Sequence, residues 1–323
     1  MNTAARHLFA RLHRLAERAA LYGVLVTLAG LFGRHAWFLE LFTHFKLQLA
    51  GCFALYVLIE FAARHWHHAA AGATFAAVNA LPVLLLCLTA TPRQPPAADA
   101  PSAQIRIVQA NVLTSNRDAA ALLSLVAREA PDVIVLQETN LRWLNDLSVL
   151  TNDYPVFAAV PREDNFGAAI YCRTNAHAAE IFYLDVRDAV PSTQSRLTAN
   201  GRPLTVIGTH PFAPYNRSRW LGRNQHTQRL ASRVRRIKGP CIVTGDFNNT
   251  PWSDHFQAFL AGSGLRDSAS GRCLQPTWPT FLPPVARIPL DHVFHSPDVH
   301  VVARRLGPSI GSDHLPLILD IAF

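Results

Sequence analysis

Charge is scarce in this chain of 323 residues: only 16% is Asp, Glu, Lys or Arg, while half is hydrophobic. An average soluble chain carries about 25% charge, so intrinsic disorder, a collagen-like repeat and a wholly soluble protein are excluded. Paired cysteines are missing too. The five cysteines stand singly at Cys52, Cys87, Cys172, Cys241 and Cys273, with no CxxC, no HExxH and no Cys/His spacing of the kind that holds structural zinc. That excludes a disulfide miniprotein and leaves the thiols as small buried apolar groups. There is no internal repeat. Lysine is nearly absent, with Arg outnumbering it 28 to 2.

The charge deficit is uneven. Residues 1–100 hold 8 Lys+Arg and 4 Asp+Glu, and residues 101–323 hold the other 22 and 18. Three apolar stretches, Leu15–Phe32, Leu47–Ala63 and Ala69–Ala90, fill the poor third. A membrane-crossing helix needs roughly 17–25 mostly apolar residues, so the third stretch is comfortable and the first two are short. Arg34, His35 and Lys46 bound a partly apolar loop, Ala36–Phe42, whose Trp37 and Phe38 suit a membrane interface. Arg6, Arg11, Arg14 and Arg18 precede the first stretch, against the single acid Glu17. The positive-inside rule keeps that end cytoplasmic, and three crossings place the chain from residue 91 onward on the far side, the periplasm in a bacterium. A cleaved signal peptide is the rival reading of the first stretch, disfavoured by the two segments after it. The organisation expected is a transmembrane region of about three helices over 1–91, a Pro/Ala-rich linker over 92–103 and a soluble domain over 104–323.

From Gln104 onward short β runs alternate with a few helices. Many strands with few helices predict two packed sheets flanked by helices. A helix is expected at about Ser218–Ile237, with Leu221, Leu230, Val234 and Ile237 on one face. Apolar strands repeatedly end in a residue that hydrocarbon packing does not ask for: Asn111, Glu138, His210, Asp246 with Asn248, Asp291, and Asp313 with His314. Any one could cap a turn; together, and restricted to Asp, Asn, Glu and His, they predict a shared site at one edge of two sheets. Carboxylates and an Asn amide are hard oxygen donors suited to Mg²⁺ or Mn²⁺. With two histidines they suit hydrolysis of a phosphate ester, the cation offsetting phosphoryl charge while an Asp and an Asn orient water. Asp246 and Asn248, two apart in extended chain, would face the same way.

The strings NVL at Asn111, QET at Glu138, GTHP at His210, GDFN at Asp246–Asn248, LDHVF at Asp291 and GSDHLPL at Asp313–His314 resemble the endonuclease/exonuclease/phosphatase superfamily, the deoxyribonuclease I-like group. They occur in the family's order across the soluble domain, and the whole layout resembles the membrane-anchored bacterial branch. The resemblance implies an α+β fold, a four-layer α/β/β/α sandwich, and a metal-dependent hydrolase. Glu138 would be the principal metal ligand, assisted by Asn111 and Asp313. Asp246 would align or deprotonate water, Asn248 hold the phosphate, and His314, paired with Asp291, face it together with His210. The Tyr of abasic-site endonucleases has no clear counterpart, which disfavours a repair role.

Between Asp188 and Asp246 no acidic residue occurs, while ten basic ones do, eight of them between Arg217 and Lys238. With a net charge of +8, this favours nucleic acid as the substrate, with lipid head groups as the alternative. Arg217, Arg223 and Gln225, nearest His210, are the expected substrate contacts. A catalytically silent module is a further, weaker reading, and no protein partner is expected.

Overall fold

The computed structural model describes residues 3–89, 104–184, 190–199, 201–272 and 274–323. The expected linker over 92–103, Ala90 and Cys273 lie outside them. The N-terminal third is helical: α1 (Thr3–Leu31), the one-turn α2 (Trp37–Glu40), α3 (Lys46–Ala62) and α4 (Trp66–Leu88). Small residues let these helices approach. A side chain on Gly23 would meet the Phe53 ring at 3.0 Å, and one on Gly72 would meet Tyr56 at 2.9 Å. Buried Asn79 on α4 donates to Thr27 Oγ1 on α1 at 2.9 Å, and Phe53 stacks on Phe75 at 5.4 Å. Among the described residues, α4 alone is both long and apolar enough to cross a bilayer by composition. The chain of α3 is apolar but 17 residues long, and α1 carries arginines over its first half.

The remainder runs β1 (Gln104–Asn111), α5 (Ala119–Glu129), β2 (Val133–Gln137), α6 (Leu141–Asp146), β3 (Val156–Val160), β4 (Ala168–Cys172), β5 (Ala176–Tyr183), β6 (Pro191–Ala199), β7 (Arg202–Thr209), α7 (Arg217–Val234), β8 (Cys241–Asp246), α8 (Asp254–Ser263), β9 (Arg266–Asp267), β10 (Asp291–His295), β11 (His300–Leu306) and β12 (Leu317–Ala322). The strands form two six-stranded mixed sheets, ordered β11-β12-β1-β2-β4-β3 and β5-β6-β7-β8-β10-β9. Strand alternation explains the layering. Ile107, Val133 and Val135 point inward against Leu204, Val206, Ile242 and Val293 of the other sheet. Their neighbours Val108, Ile134 and Leu136 point outward under Leu122, Leu125 and Trp143 of α5 and α6. On the far face Ile207, Val243 and Phe294 pack beneath α7 and α8. The result is the expected four-layer sandwich with flanking helices outside two sheets.

The register of α7 differs from expectation. Leu221 is exposed, whereas Trp220, Arg223, His226, Thr227, Leu230 and Val234 form the buried face. Polar residues occupy that face because each has a partner, so hydrophobicity does not report it. His226 Nε2 pairs with Thr209 Oγ1 at 2.8 Å.

Helices and sandwich are joined through the α2–α3 loop. The buried Glu40 carboxylate accepts from Arg223 Nη2 and Trp220 Nε1, both at 2.5 Å, and from Ser253 Oγ at 3.1 Å. His44 meets Thr250 Oγ1 at 3.0 Å. Gln48 donates to the carbonyls of Val285 and Arg287 at 3.1 Å, and the Gly271 N–H donates to the Leu86 carbonyl at 2.9 Å.

Buried histidines make the protein acid-sensitive. Burial pushes His226 down to about 3 and His44 down to about 4, below the unfolded value of about 6.5. The unfolded chain therefore binds more protons below pH 6.5, and stability falls with pH down to the folded values. Each of the two is expected to cost about 2 kcal/mol by pH 5. Melting temperature measured in detergent should decline steadily from pH 7 to 5, and His226→Gln should flatten the decline. A melting temperature constant over that interval would refute the account.

Candidate active site

Topology brings the polar strand ends together. β1 and β2 are parallel, so Asn111 and Glu138 emerge at the same edge. β7 and β8 are likewise parallel, which places His210 beside Asp246. β10 runs antiparallel to β8 with Asp291 opposite Asp246. β12 runs antiparallel to β1, so Asp313 and His314, just before it, return to the same end. The chain approaches closely here. Gly245 has φ +149°, and a side chain on it would lie 1.8 Å from the Thr209 carbonyl. Gly245→Ala is expected to cost about 3 kcal/mol or more and to lower activity with it, read by thermal unfolding and turnover; an unchanged melting temperature would contradict the close approach.

Eight polar side chains form one continuous network across both sheets. Asn111 Nδ2 donates to Glu138 Oε1 at 2.9 Å and to Asp246 Oδ2 at 3.2 Å. His210 Nε2 lies 3.7 Å from Glu138 Oε1, and its Nδ1 lies 3.2 Å from the Asp246 carbonyl. His314 Nδ1 meets Asp291 Oδ2 at 2.7 Å, and its Nε2 lies 3.5 Å from Asp246 Oδ2. Gln109 Nε2 donates to Asp291 Oδ1 at 2.8 Å and to Gln137 Oε1 at 2.7 Å, tying β10 to the opposite sheet.

Burial and charge set the protonation states. Burial pulls His314 down, but Asp291 and Asp246 outweigh it and carry the imidazole up to about 10, so it is a cation at neutral pH. Burial drives Asp291 up, and the bonded His314 reverses this to hold it below the usual carboxylate range. Asp246 is raised by burial, with His314 and His210 only partly offsetting. A carboxyl with raised basicity beside a fixed cation is a sound arrangement for taking a proton from water.

Several expected contacts differ in detail. Asn111 turns its amide nitrogen toward the two carboxylates, because its Oδ1 accepts from the Leu113 N–H at 3.1 Å; it steadies Glu138 rather than offering an oxygen. Asn248 is not in extended chain. Its φ is +49°, Phe247 is driven into the core, and the Asn248 N–H donates to Asp246 Oδ1 at 2.8 Å while Nδ2 donates to the Pro211 carbonyl at 3.1 Å. Arg223, expected at the substrate, is 1% exposed. Its guanidinium faces Glu40 and donates through Nη1 to the Asn248 carbonyl at 3.1 Å. Gln225 and Arg217 are exposed on α7. Closer to the site stands Arg219, its guanidinium 5.7 Å from each of the Phe166, Phe212 and Tyr215 ring centres, with Phe166 5.4 Å from His210.

Residues that strand-end reasoning missed act on the network from behind. Thr277 Oγ1 accepts from the Asp291 N–H at 3.3 Å. Ser312 Oγ donates to the Asn111 carbonyl at 2.7 Å and accepts from the His314 N–H at 3.1 Å. Trp278 Nε1 donates to Asp313 Oδ2 at 2.9 Å. Asp313 Oδ1 is buried and has no hydrogen-bond partner among the described residues. A buried carboxylate oxygen left without a partner, at the edge that also carries Glu138, fits a hard divalent cation.

The pattern of the endonuclease/exonuclease/phosphatase family matches residues 108–314, which contain the whole network. The chain belongs to that family. It is a phosphoester hydrolase of the endonuclease/exonuclease/phosphatase superfamily, a group generally dependent on divalent metal. Solved structures with the same fold include D. rerio TDP2 humanized by 14 mutations, with a TM-score of 0.57 and 19% identity over 68% of this chain and 98% of that one. The human Nocturnin catalytic domain with bound sulfate aligns at 0.56, with 22% identity over 68% and 94%. An endonuclease/exonuclease/phosphatase from Bacteroides vulgatus aligns at 0.55, with 18% identity over 68% and 98%. No curated protein matches the sequence significantly.

Proposed function

We propose that the chain is a membrane-tethered, divalent-metal-dependent phosphodiesterase that cleaves its ester by attack of water. The observation that carries this reading is His314, held cationic between Asp291 and Asp246 at one end of a network that reaches Glu138 and His210. Glu138 and Asp313 hold the cation, Mg²⁺ or Mn²⁺, and Asn111 fixes the Glu138 carboxylate. The cation supplies charge neutralisation at the phosphoryl oxygens. Asp246 aligns the attacking water and accepts its proton. His314, oriented by Asp291, and His210 meet developing charge on the phosphoryl group, and Asn248 positions the phosphate.

Residues 1–91 form the membrane region in this reading, 92–103 the linker and 104–323 the catalytic domain, as in a membrane-anchored bacterial branch of the superfamily. Two observations support three crossings. Leu21, Leu25, Leu28, Leu55, Leu58, Leu84 and Leu85 point outward from α1, α3 and α4, a belt too large for a surface in water. The α2–α3 loop and the end of α4 both touch the sandwich, as expected if α3 and α4 cross in opposite directions. The N-terminal arginines favour the periplasmic side of a bacterial inner membrane for the sandwich.

Nucleic acid is the favoured substrate. Arg219 over Phe166, Phe212 and exposed Tyr215 beside His210 makes a platform on which a base stacks while the guanidinium meets phosphate, and a D. rerio TDP2 structure of this fold holds a single-stranded DNA product. One observation favours lipid head groups instead. Phe281 and Val285 are 76% and 74% exposed on the loop that Gln48 ties to the start of α3, beside the Trp278–Asp313 contact. Full-length protein in detergent, given single-stranded DNA, a simple aryl phosphodiester or phospholipid vesicles, with Mg²⁺ or EDTA, separates the readings. Metal-dependent DNA cleavage lost in Asp246→Ala supports the first; head-group release alone supports the second; turnover unaffected by EDTA or by Asp246→Ala overturns both.

A further inference from the structure

A second cluster of ligating side chains lies at the opposite end of the helical region, with no part in the catalytic network. His13 on α1, Glu60 on α3, and His65 and His68 at the start of α4 converge there. α4 spans 23 residues, about 34 Å at 1.5 Å per residue, and it is its far end, Leu86, that touches the sandwich. His13 Nε2 lies 3.2 Å from Glu60 Oε2. His65 Nδ1 lies 2.9 Å from Glu60 Oε2 and 3.2 Å from His13 Nε2. His68 Nδ1 stands 3.6 Å from Glu60 Oε2, and Glu17 Oε2 3.8 Å from His13 Nδ1.

We propose that this cluster is a transition-metal site, of zinc type, that staples α1, α3 and α4 together. Two ring nitrogens face each other and the same carboxylate, all three ligand atoms within 4.8 Å of one another. A tetrahedral ion with ligands at about 2.0–2.1 Å sets neighbouring ligand atoms about 3.3–3.4 Å apart, and the three contacts fall just inside that edge length, as they would with the central charge left out. A proton between His13 and His65 serves one pair of atoms; a cation serves all three lone pairs at once. Imidazole nitrogens select zinc, cobalt or nickel over the hard cations suited to the catalytic carboxylates, so the two sites take different metals. Glu60 is fully buried while the His65 and His68 side chains are 50% and 56% exposed, which leaves an open approach from water and room for His68 as fourth ligand. The donors come from separate segments up to 52 positions apart, which is why no zinc spacing shows in the sequence.

The test uses the full chain in detergent, stripped with chelator and re-equilibrated with Zn²⁺ under excess Mg²⁺. Glu138→Ala and His314→Ala are built into every protein to remove donors of the catalytic network. Elemental analysis should find one tightly held zinc per chain, and Co²⁺ should give the visible absorption of a tetrahedral nitrogen–oxygen site. His65→Ala, in a half-exposed turn position, should keep helicity and elution volume yet weaken zinc about 100-fold or more. His65→Cys, which restores a zinc donor, should recover binding. Glu60→Gln should behave as His65→Ala does; if it fails to fold, His65→Ala decides. Absence of retained zinc, or equal affinity in His65→Ala, overturns the proposal.

Discussion

His314→Gln is expected to lower phosphodiester turnover by about 10²–10⁴-fold while leaving the fold intact. The imidazole is 5% exposed and would ordinarily shed its proton in such a place. Asp291 at 2.7 Å and Asp246 at 3.5 Å outweigh that burial, so the ring carries a fixed positive charge where a phosphoryl group gains negative charge. Glutamine keeps a hydrogen-bonding amide of similar reach and loses the charge, so the loss should fall on kcat rather than KM. Asp291→Asn should act through the same ring, since Asp291 is joined to His314 and to Gln109 and points at nothing in the cleft. Residues that act as a unit are non-additive; the double variant should therefore be scarcely worse than His314→Gln alone. Steady-state rates on an aryl phosphodiester decide it. A His314→Gln rate within threefold of the parent, or multiplicative losses in the double variant, would remove His314 from the chemistry.

The catalytic edge was legible in the sequence because each piece of it is local. An apolar run such as DVIVL, ended by Gln137 and Glu138, states both a buried strand and an unexplained acid. Sheet parity then does the rest, since parallel neighbours end together. The hidden parts depend on distant partners or on a change of backbone region. Asn248 looks co-facial with Asp246 only while the chain is extended, and its φ of +49° turns its side chain toward Pro211. Gln109 reads as an interior strand residue, and only the opposing sheet reveals its tie to Asp291. Arg223 sits near His210 in sequence and reads as a substrate contact, yet its partner, Glu40, lies 183 positions away in a loop that composition alone marks as an interface. The zinc-type cluster was invisible for the same reason. Short elements such as β3 and α8, of five and ten residues, carry too little periodicity to separate from loop.

The buried Glu40–Arg223 pair leads to the second large effect. Glu40→Gln is expected to destabilise the full chain by about 3–5 kcal/mol, a fall in melting temperature of roughly 10 °C. Both partners are 1% exposed. Burial pushes the Glu40 carboxyl up, and the Arg223 guanidinium reverses this and keeps it ionised. Neutralising Glu40 leaves a guanidinium in a dry site, the costly half of a broken pair. The same arginine holds the Asn248 carbonyl at 3.1 Å, so the loop behind Asp246 should loosen and turnover fall with stability. A double replacement, Glu40→Leu with Arg223→Met, removes both charges and should be more stable than either single change, since an apolar pair avoids the desolvation penalty. Its turnover should nevertheless stay below the parent, because Met cannot donate to Asn248; this separates the packing role of the pair from its hold on the catalytic loop. The helical region is on this account a structural part of the catalytic domain. A fragment starting near residue 97 would bare Arg223 and Trp220 and lose activity even with every catalytic side chain present. Melting curves and turnover for the two single variants, the double variant and the fragment test it. A Glu40→Gln protein that melts within 1 °C of the parent, or a fully active fragment, would show that the contact only tethers.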